Sequence, residues 1–338
     1  MASLKPLPRR PIPSAAPARA EPNASAGRFS RRQFGRLAAA SLIAMSSGGC
    51  GDQRSPEGRA DLVWGKLGLG KGQLCKPRAM AIDRDDQLYL VDMTARIQVF
   101  DTDGKFLRGW QTPEHANGRP TGLTIAPDGN LLVADTHYYR VLTYSPEGEL
   151  LDHATLGGTM GPGPGEFGFV TDAVRDAEGN YFVGEYGEFD RIQKFSPEGD
   201  YLLQWGGHGS EQGHFLRPQY LEVDAQGHLW VADACNHRVQ IFDGTGQFLA
   251  MWGIAGSEPG ELSYPYNLAL DGAGHVYVCE YGNHRVQKFT IDGQPLGCWG
   301  TYGRQPGELH NPWALVYDSQ GRVHVLDSNN HRVQRLVL

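Results

Sequence analysis

The sequence has few cysteines, no long apolar run and no excess of positive charge. Five cysteines occur in 338 residues and none forms a C-x-x-C pair, so nothing supports a zinc ribbon, a thioredoxin-type redox pair or a c-type haem site. The apolar stretch at residues 37–45 is too short to span a bilayer. A formal charge of −7 offers no basic face to phosphates, and we therefore predict no nucleic-acid partner.

Glycine and proline are abundant, with 45 and 21 residues, while 40% of the chain is apolar. A disordered chain would have too little apolar surface to bury. Glycines spread among short apolar runs are instead typical of many tight turns. The composition thus favours one large all-β domain or two smaller ones.

The first 50 residues differ from the rest because they contain no strand pattern. Arg31 and Arg32, with Phe34 two residues beyond, resemble a twin-arginine export signal. Small residues precede Cys50, as in the processing site of a lipoprotein, although Ser47 stands where leucine is usual. The resemblance implies export across the cytoplasmic membrane to a periplasmic or membrane-tethered location, with Cys50 as the lipid anchor and residues 51–58 as a short linker. An amphipathic cytosolic tail is the alternative.

An internal repeat of about 47 residues covers most of the chain after residue 58. Its sharpest marker is an acidic residue, a short loop and then an arginine that opens a strand. These six arginines are Arg96, Arg140, Arg191, Arg238, Arg285 and Arg332. Each unit contains about four short runs of β-type residues separated by glycine turns. Four antiparallel strands per repeat predict a blade of a β-propeller.

The two ends of the chain predict how the ring closes. The sixth unit ends after its third strand, yet "ADLVWG" at residues 60–65 matches the fourth strands "FLAMWG" and "PLGCWG". We predict that this N-terminal segment pairs as the outer strand of the last blade. Closure of this kind leaves no seam of unpaired backbone groups.

Units four to six carry "NHRVQ", whereas units two and three have "HYYRVLTY" and "GEFDRIQKF". The repeat resembles the NHL repeat in its six-bladed form, closely in units four to six and more loosely in units one to three. The resemblance implies a single all-β, six-bladed NHL-type β-propeller over residues 59–338.

The evenly spaced histidines of "NHRVQ", His237, His284 and His331, invite a metal-site interpretation. Zinc holds its ligand nitrogens about 2 Å away, but equivalent third-strand positions in a sixfold ring are separated by a radius on the order of 10 Å. We therefore predict a structural role. Asparagine takes a left-handed turn conformation, histidine fills the seam between blades, and arginine pairs with the acid five residues earlier.

Function in such a propeller is expected on the face around the central channel. The positions that open the first strands are Arg78, Thr121, Thr171, Gln219, Tyr266 and Trp313. Tyr266 and Trp313 belong to neighbouring units and could hold a planar, sugar or cationic ligand. A water-filled funnel with purely structural aromatics is the alternative.

The known enzymes that resemble this repeat are lyases that cleave a hydroxylated glycine amide, and they place zinc-binding histidines where first strands begin. None of the six positions is histidine, and His115, His214 and His310 precede three of them at unequal spacing. No G-x-S-x-G elbow occurs, which gives no support for a serine nucleophile. In unit three, one loop is crowded by Glu185, Tyr186, Glu188 and Asp190. Together with Glu280 and Tyr281 two units away, they leave open an acidic rim for cationic or metal partners.

The sequence therefore predicts an exported, lipid-anchored propeller that acts as a monomeric, non-catalytic binding or scaffold module through its funnel face. Its partner is a protein, a glycan or a small molecule. We predict no catalytic residue, metal ligand or cofactor, although calcium or zinc in the central channel stays open. The alternative is a lyase or hydrolase with a metal-assisted site in the funnel. A Cys235–Cys279 disulfide is an open alternative to unpaired thiols.

Overall fold

The computed structural model describes residues 60–337, and their fold is all-β with a few single 3-10 turns. Six four-stranded antiparallel sheets form the blades of a propeller. The first strand of each blade contacts the first strands of both neighbouring blades, and the sixth returns to the first. The predicted six-bladed ring is confirmed.

Each blade runs outward from the central channel through four strands. The first strands are Ala79–Ile82, Gly122–Ile125, Phe169–Arg175, Pro218–Val223, Pro265–Leu270 and Ala314–Tyr317. The second strands are Leu88–Val91, Leu131–Asp135, Tyr181–Tyr186, Leu229–Asp233, His275–Glu280 and Arg322–Asp327. The third strands are Arg96–Phe100, Arg140–Tyr144, Arg191–Phe195, Arg238–Phe242, Arg285–Thr290 and Arg332–Val337. The fourth strands are Phe106–Gln111, Leu156–Gly157, Tyr201–Gly206, Phe248–Trp252, Pro295–Trp299 and, for blade six, Leu62–Trp64.

Closure occurs as the repeat pattern predicts. Leu62–Trp64 pairs antiparallel with the third strand of blade six, with Trp64 opposite Val333. The Trp64 ring then reaches into blade one, where its centroid lies 4.8 Å from that of Phe100. It also covers Gly104, whose positive φ and lack of a side chain admit the indole. The strand Leu62–Trp64 therefore joins the last blade to the first.

Six hydrophobic clusters fill the spaces between blades, one cluster for each neighbouring pair. The cluster between blades six and one contains Leu326 and Val333 from one side and Met80 and Leu90 from the other. Because each sheet buries both faces, its second strand is apolar at nearly every position rather than alternating.

Blade two departs from the repeat. Its fourth strand has only two residues, Leu156–Gly157, and a 3-10 turn at Asp152–Ala154 precedes it. The loop that leads into its first strand also lacks the buried Leu or Phe that the other five leading loops insert (Leu74, Phe167, Phe215, Leu262 and Leu309).

Cys235 and Cys279 do not form a disulfide in the described structure. Cys235 is exposed on a loop and Cys279 is fully buried in a second strand, so the Cys235–Cys279 alternative is wrong. Within the described part, no helix has the length and apolar character needed to cross a membrane. The predicted export signal at Arg31 and Arg32 and the predicted anchor Cys50 lie outside the described residues.

Candidate functional site

The acidic residue that ends each second strand is buried and bound to the arginine that opens the third strand of the same blade. The pairs are Asp92–Arg96, Asp135–Arg140, Glu185–Arg191, Asp233–Arg238, Glu280–Arg285 and Asp327–Arg332, at N···O distances of 2.5–2.9 Å. The guanidinium also donates to carbonyls of the leading loop, as Arg238 does to Ser210, Glu211 and His214. The ring of acids is therefore part of the scaffold.

The "NHRVQ" motif is structural and its histidine lies in the seam between blades as predicted, but the histidine rather than the asparagine takes the left-handed conformation. Asn236 ends a 3-10 turn and donates to Asp233 and to the carbonyl of Gly209. His237 takes the left-handed conformation, with φ of 56°. Its Nδ1 accepts a hydrogen bond from the backbone N–H of Tyr264, 3.1 Å away in blade five. The prediction of a left-handed asparagine was wrong, because histidine tolerates this region as well.

The same seam contact recurs at other blade junctions. His284 accepts from the backbone of Asn311 at 3.0 Å, and His331 accepts from the backbone of Lys76 at 2.8 Å. In blade three the position is Asp190, whose carboxylate accepts from the backbone N–H of Arg217 at 2.9 Å. The donor residue also has a positive φ, 63° for Arg217. Asp190 thereby holds Arg217 in a conformation that a non-glycine residue rarely adopts.

Five of the six predicted site residues meet at the base of the funnel. A cavity of about 10 Å³, enough for about one water, is lined by Arg78, Thr121, Gln219, Tyr266 and Trp313. The sixth, Thr171, is buried and donates to the carbonyl of Pro218 in the next blade. Thr121 is also turned away, since its hydroxyl bonds that of Thr136 at 2.7 Å.

Three arginines converge on this face. The Arg78 guanidinium lies 5.3 Å from the centroid of the Trp313 ring, and its buried Nε has no partner. Arg217 lies over the rings of Tyr186 and Tyr266 at 4.7 and 5.2 Å. Burial lowers the pKa of Arg78, and the positive charge of Arg217 and then of Arg119 lowers it further. The three cations therefore share one region without a carboxylate that neutralises Arg78.

Aromatic rings line two sides of the funnel. On one side Tyr266 stacks on Tyr281 at 4.5 Å, and both meet the Trp313 ring edge-on at 5.0 and 5.7 Å. On the other side Phe169 contacts Tyr186 and His137, each at 5.3 Å. Aromatic faces next to guanidinium groups favour a ligand that carries a flat or apolar part beside its charge.

His137 and Trp313 add unpaired donors to the same face. The Nδ1 of His137 and the Nε1 of Trp313 are buried without a hydrogen-bond partner. Burial lowers the pKa of His137, and the charges of Arg78 and Arg119 lower it further, so the ring is neutral at pH 7. Its Nδ1 then donates or accepts according to the tautomer.

The acidic rim that the sequence left open is reduced to Glu188, which is exposed. Glu185 and Glu280 are fully buried against Arg191 and Arg285, and Asp190 binds His208 at 2.6 Å. In the described residues, no three histidine, cysteine, aspartate or glutamate side chains converge to hold a metal ion. The residues present therefore do not fit the zinc or calcium site that the sequence left open, and we derive no metal-dependent step.

Sequence reasoning missed two residues of this face and gave two others a different role. Arg119 and Arg217 directly precede Pro120 and Pro218, whereas the prediction took the residue after the proline. Tyr186 and Tyr281 directly follow the repeat acid in "GEYG" and "CEYG", and the sequence assigned them to the acidic rim. The signal for the two arginines was a basic residue before the proline.

The chain carries NHL repeats. The NHL repeat model matches residues 215–242, 262–289 and 309–336, each from the buried apolar residue of the leading loop to the third strand. Among curated proteins, peptidyl-glycine alpha-amidating monooxygenase B of Xenopus laevis is 32% identical over 188 residues, which are 53% of this chain and 20% of that protein. NHL repeat-containing protein 3 of Mus musculus is 28% identical over 160 residues, 44% of this chain and 45% of that protein. The chain thus spans about a fifth of the amidating monooxygenases it matches.

Solved structures show the same fold at low identity. A streptogramin B lyase has a TM-score of 0.55 at 12% identity and covers 80% of this chain and 95% of its own. Virginiamycin B lyase from Staphylococcus aureus, solved with quinupristin in a catalytically inactive form, has a TM-score of 0.54 at 12% identity and covers 78% and 80%. These matches support the propeller architecture alone.

Proposed function

We propose that this protein is a binding module whose funnel face captures an anionic ligand with a flat or apolar part, on the outer side of the cytoplasmic membrane. The observation that carries the proposal is that Arg78 and Arg217 lie against the rings of Trp313 and Tyr266, which contact each other at 5.0 Å. The chain has a net charge of −7, so this local excess of positive charge runs against its average composition.

A carboxylate in the funnel would find donors that the protein leaves unpaired. Arg78 Nε and Trp313 Nε1 have no partner, whereas every repeat acid is already bound to an arginine of its own blade. Buried donors without acceptors are unfavourable, and a charged acceptor would form strong charge-assisted bonds to guanidinium groups. Tyr266, Tyr281 and Trp313 would cover the apolar part of the ligand.

We expect the funnel to bind 3-phenylpropionate and to discriminate against 3-phenylpropanol. The Arg78→Gln/Arg217→Gln variant should bind 3-phenylpropionate about 100-fold more weakly, because each charged hydrogen bond contributes about 1.5–3 kcal/mol. Titration calorimetry on wild type and variant gives the affinities. The control is Arg335→Gln, whose arginine binds Asp61 and Asp103 at the outer strand and should leave affinity unchanged. Equal binding of acid and alcohol would contradict the proposal.

A second candidate is a lyase that acts in the same funnel. Burial raises the pKa of Tyr266 more than the nearby charge of Arg217 lowers it, so this phenol keeps its proton and could donate it as a general acid. The 32% identity to an amidating monooxygenase over half of the chain gives this candidate support. Release of the amide from a hydroxyglycine-terminated peptide, followed by mass spectrometry, would distinguish a catalyst from a binding module.

The location is tested separately. If Cys50 carries the lipid, Cys50→Ala should move the protein from the membrane pellet to the soluble fraction of the periplasm, because the acyl chains supply the membrane affinity. Arg31→Lys/Arg32→Lys should retain the protein in the cytoplasm. A Cys50→Ala protein that still sediments with membranes would contradict the lipid anchor.

A further inference from the structure

The far end of the central channel holds a second and larger cavity. Its volume is about 450 Å³, and the first strands of all six blades or the residues just after them line it. It lies beyond the base of the funnel along the channel, since its lining follows the funnel residues along each first strand. Small-molecule sites start near this size, so the cavity has room for an organic molecule rather than a bare ion.

About half of the wall surface of this cavity is apolar, and Ile82, Ile125, Val174, Leu270 and Val316 belong to its lining. A carboxyl group interrupts the wall at Glu222, in the first strand of blade four. Its two hydrogen bonds are long, 3.4 Å from the backbone N–H of Leu270 and 3.4 Å from the Tyr220 hydroxyl.

A second carboxyl group lies behind the lining. Asp172 is 1% exposed and accepts bonds from the Thr124 hydroxyl at 3.2 Å and from the backbone N–H of Leu221 at 3.1 Å. Thr124 itself lines the cavity. Asp172 and Glu222 are close enough that the charge of Glu222 raises the pKa of Asp172, so the two carboxyl groups share one electrostatic environment.

Neither carboxyl group has a basic partner, which sets them apart. Each of the other buried carboxylates in the described chain lies within 4.0 Å of a basic side chain, and outside the six repeat pairs these contacts are Asp176–Lys194, Asp190–His208 and Asp318–Arg322. Asp172 and Glu222 appear in no such pair. Buried charges are normally paired. Because the other buried acids have a basic partner within the protein, these two carboxyl groups are the ones that a cationic ligand could pair with.

The charged groups at the mouth of the cavity are engaged elsewhere. Arg84 donates to the carbonyl of Pro127, and Arg175 binds Asp128 and the carbonyl of Gly179. Asp83 accepts from the Tyr89 hydroxyl and from backbone N–H groups. The wall acid Glu222 is therefore the open anionic group of the cavity.

We propose that this cavity binds a primary ammonium group attached to an apolar chain, with the ammonium on Glu222 and the chain along the apolar wall. The proposal is independent of the anion site in the funnel, because the two sites share no charged residue. It accounts for the unpaired acids and for the apolar part of the lining. A metal ion would make no use of the apolar part.

The test is titration of the full chain with n-hexylamine, hexan-1-ol and hexanoate. We expect hexylamine to bind at least about tenfold more tightly than hexanol at pH 8.5, since a charged hydrogen bond is about twice as strong as a neutral one. Burial raises the pKa of Glu222 to about 8 and that of Asp172 to about 8. Hexylamine affinity should therefore increase from pH 6 to pH 9 as the carboxylate forms, while hexanol affinity should stay constant.

The Glu222→Gln variant removes the charge of the wall carboxyl group and keeps the side-chain volume nearly unchanged. This near-isosteric variant should lose about tenfold or more in hexylamine affinity and its pH dependence, while hexanol binding and the thermal midpoint show that cavity and fold are intact. Arg217→Gln, in the funnel, should bind hexylamine as wild type does. Three results would overturn the proposal: equal affinities for hexylamine and hexanol, an unchanged Glu222→Gln variant, or no binding of any probe at 10 mM.

Discussion

Replacing Arg285 with alanine should lower the free energy of unfolding by about 3–5 kcal/mol, because it leaves a buried carboxylate without its cation. Glu280 is fully buried and its Oε1 lies 2.5 Å from Arg285 Nε. The same guanidinium donates to the carbonyls of Ser257, Glu258 and Glu261. One side chain thus binds the second strand and the whole leading loop of blade five.

The loss should appear as a thermal midpoint lower by about 10 °C, since 1 kcal/mol corresponds to about 2–4 °C in a domain of this size. The matched control is Arg335→Ala, whose partners Asp61 and Asp103 are exposed, and which should change stability by less than about 1 kcal/mol. The double variant Glu280→Gln/Arg285→Met should recover part of the loss, because no unpaired charge remains. Similar losses for Arg285→Ala and Arg335→Ala would show that the buried pair has no special role.

The blade architecture could be predicted because the contacts that define a blade lie within one repeat unit. The same acid–loop–arginine marker recurs six times, and its residues contact one another within the blade. In blade five, for example, Glu280 binds Arg285 and also accepts from Asn283. Closure was predictable for the same reason, since the "LVWG" segment before blade one matches the outer strands of the other blades. Local periodicity is enough when the same contact recurs at nearly the same sequence separation in each unit, here four to six residues.

Local irregularities could not be predicted in this way. The short fourth strand of blade two follows from the turn at Asp152–Ala154, which has no counterpart in the other units. The sequence also could not show that His237 rather than Asn236 takes the positive φ, since both residue types tolerate it. The donor on the next blade decides, because the backbone N–H of Tyr264 donates to His237 Nδ1.

The candidate site was predicted in part because its residues come from different blades. The six positions after a proline include Arg78, Tyr266 and Trp313, which do face the funnel. Arg217 was missed because its direction depends on a left-handed backbone held by Asp190. Such a contact joins residues 27 positions apart through the seam between two blades, and nothing in the unit of blade four alone specifies it.

Blade three has Asp190 at the position where blades four to six have histidine, and this residue holds the backbone of the funnel residue Arg217. In blades four to six this position is histidine, and its partner on the next blade is Tyr264, Asn311 or Lys76. In blade three the acceptor is the Asp190 carboxylate and the donor belongs to Arg217. A charged acceptor bonds more strongly than a neutral imidazole, so the seam that positions a funnel arginine is the one with the carboxylate.

The second large effect concerns ring closure. A chain that begins at Lys66 should unfold at least about 6 °C below a chain that begins at Ala60, because it lacks the strand Leu62–Trp64. Trp64 and Leu62 pack in the cluster between blades six and one, and burying two such side chains contributes about 3–6 kcal/mol. That free energy corresponds to about 6–24 °C in a domain of this size.

The shorter chain also exposes the backbone of the third strand of blade six. Val333, Gln334 and Arg335 would lose their pairing partners, and an unpaired edge favours association between molecules. We therefore expect aggregation on heating, measured by light scattering beside circular dichroism. Trp64→Ala in the chain from Ala60 keeps the backbone pairing and removes only the indole between Phe100 and Gly104, so it should lower the midpoint without promoting aggregation. Equal midpoints for the two chain lengths would mean that the ring is stable when open.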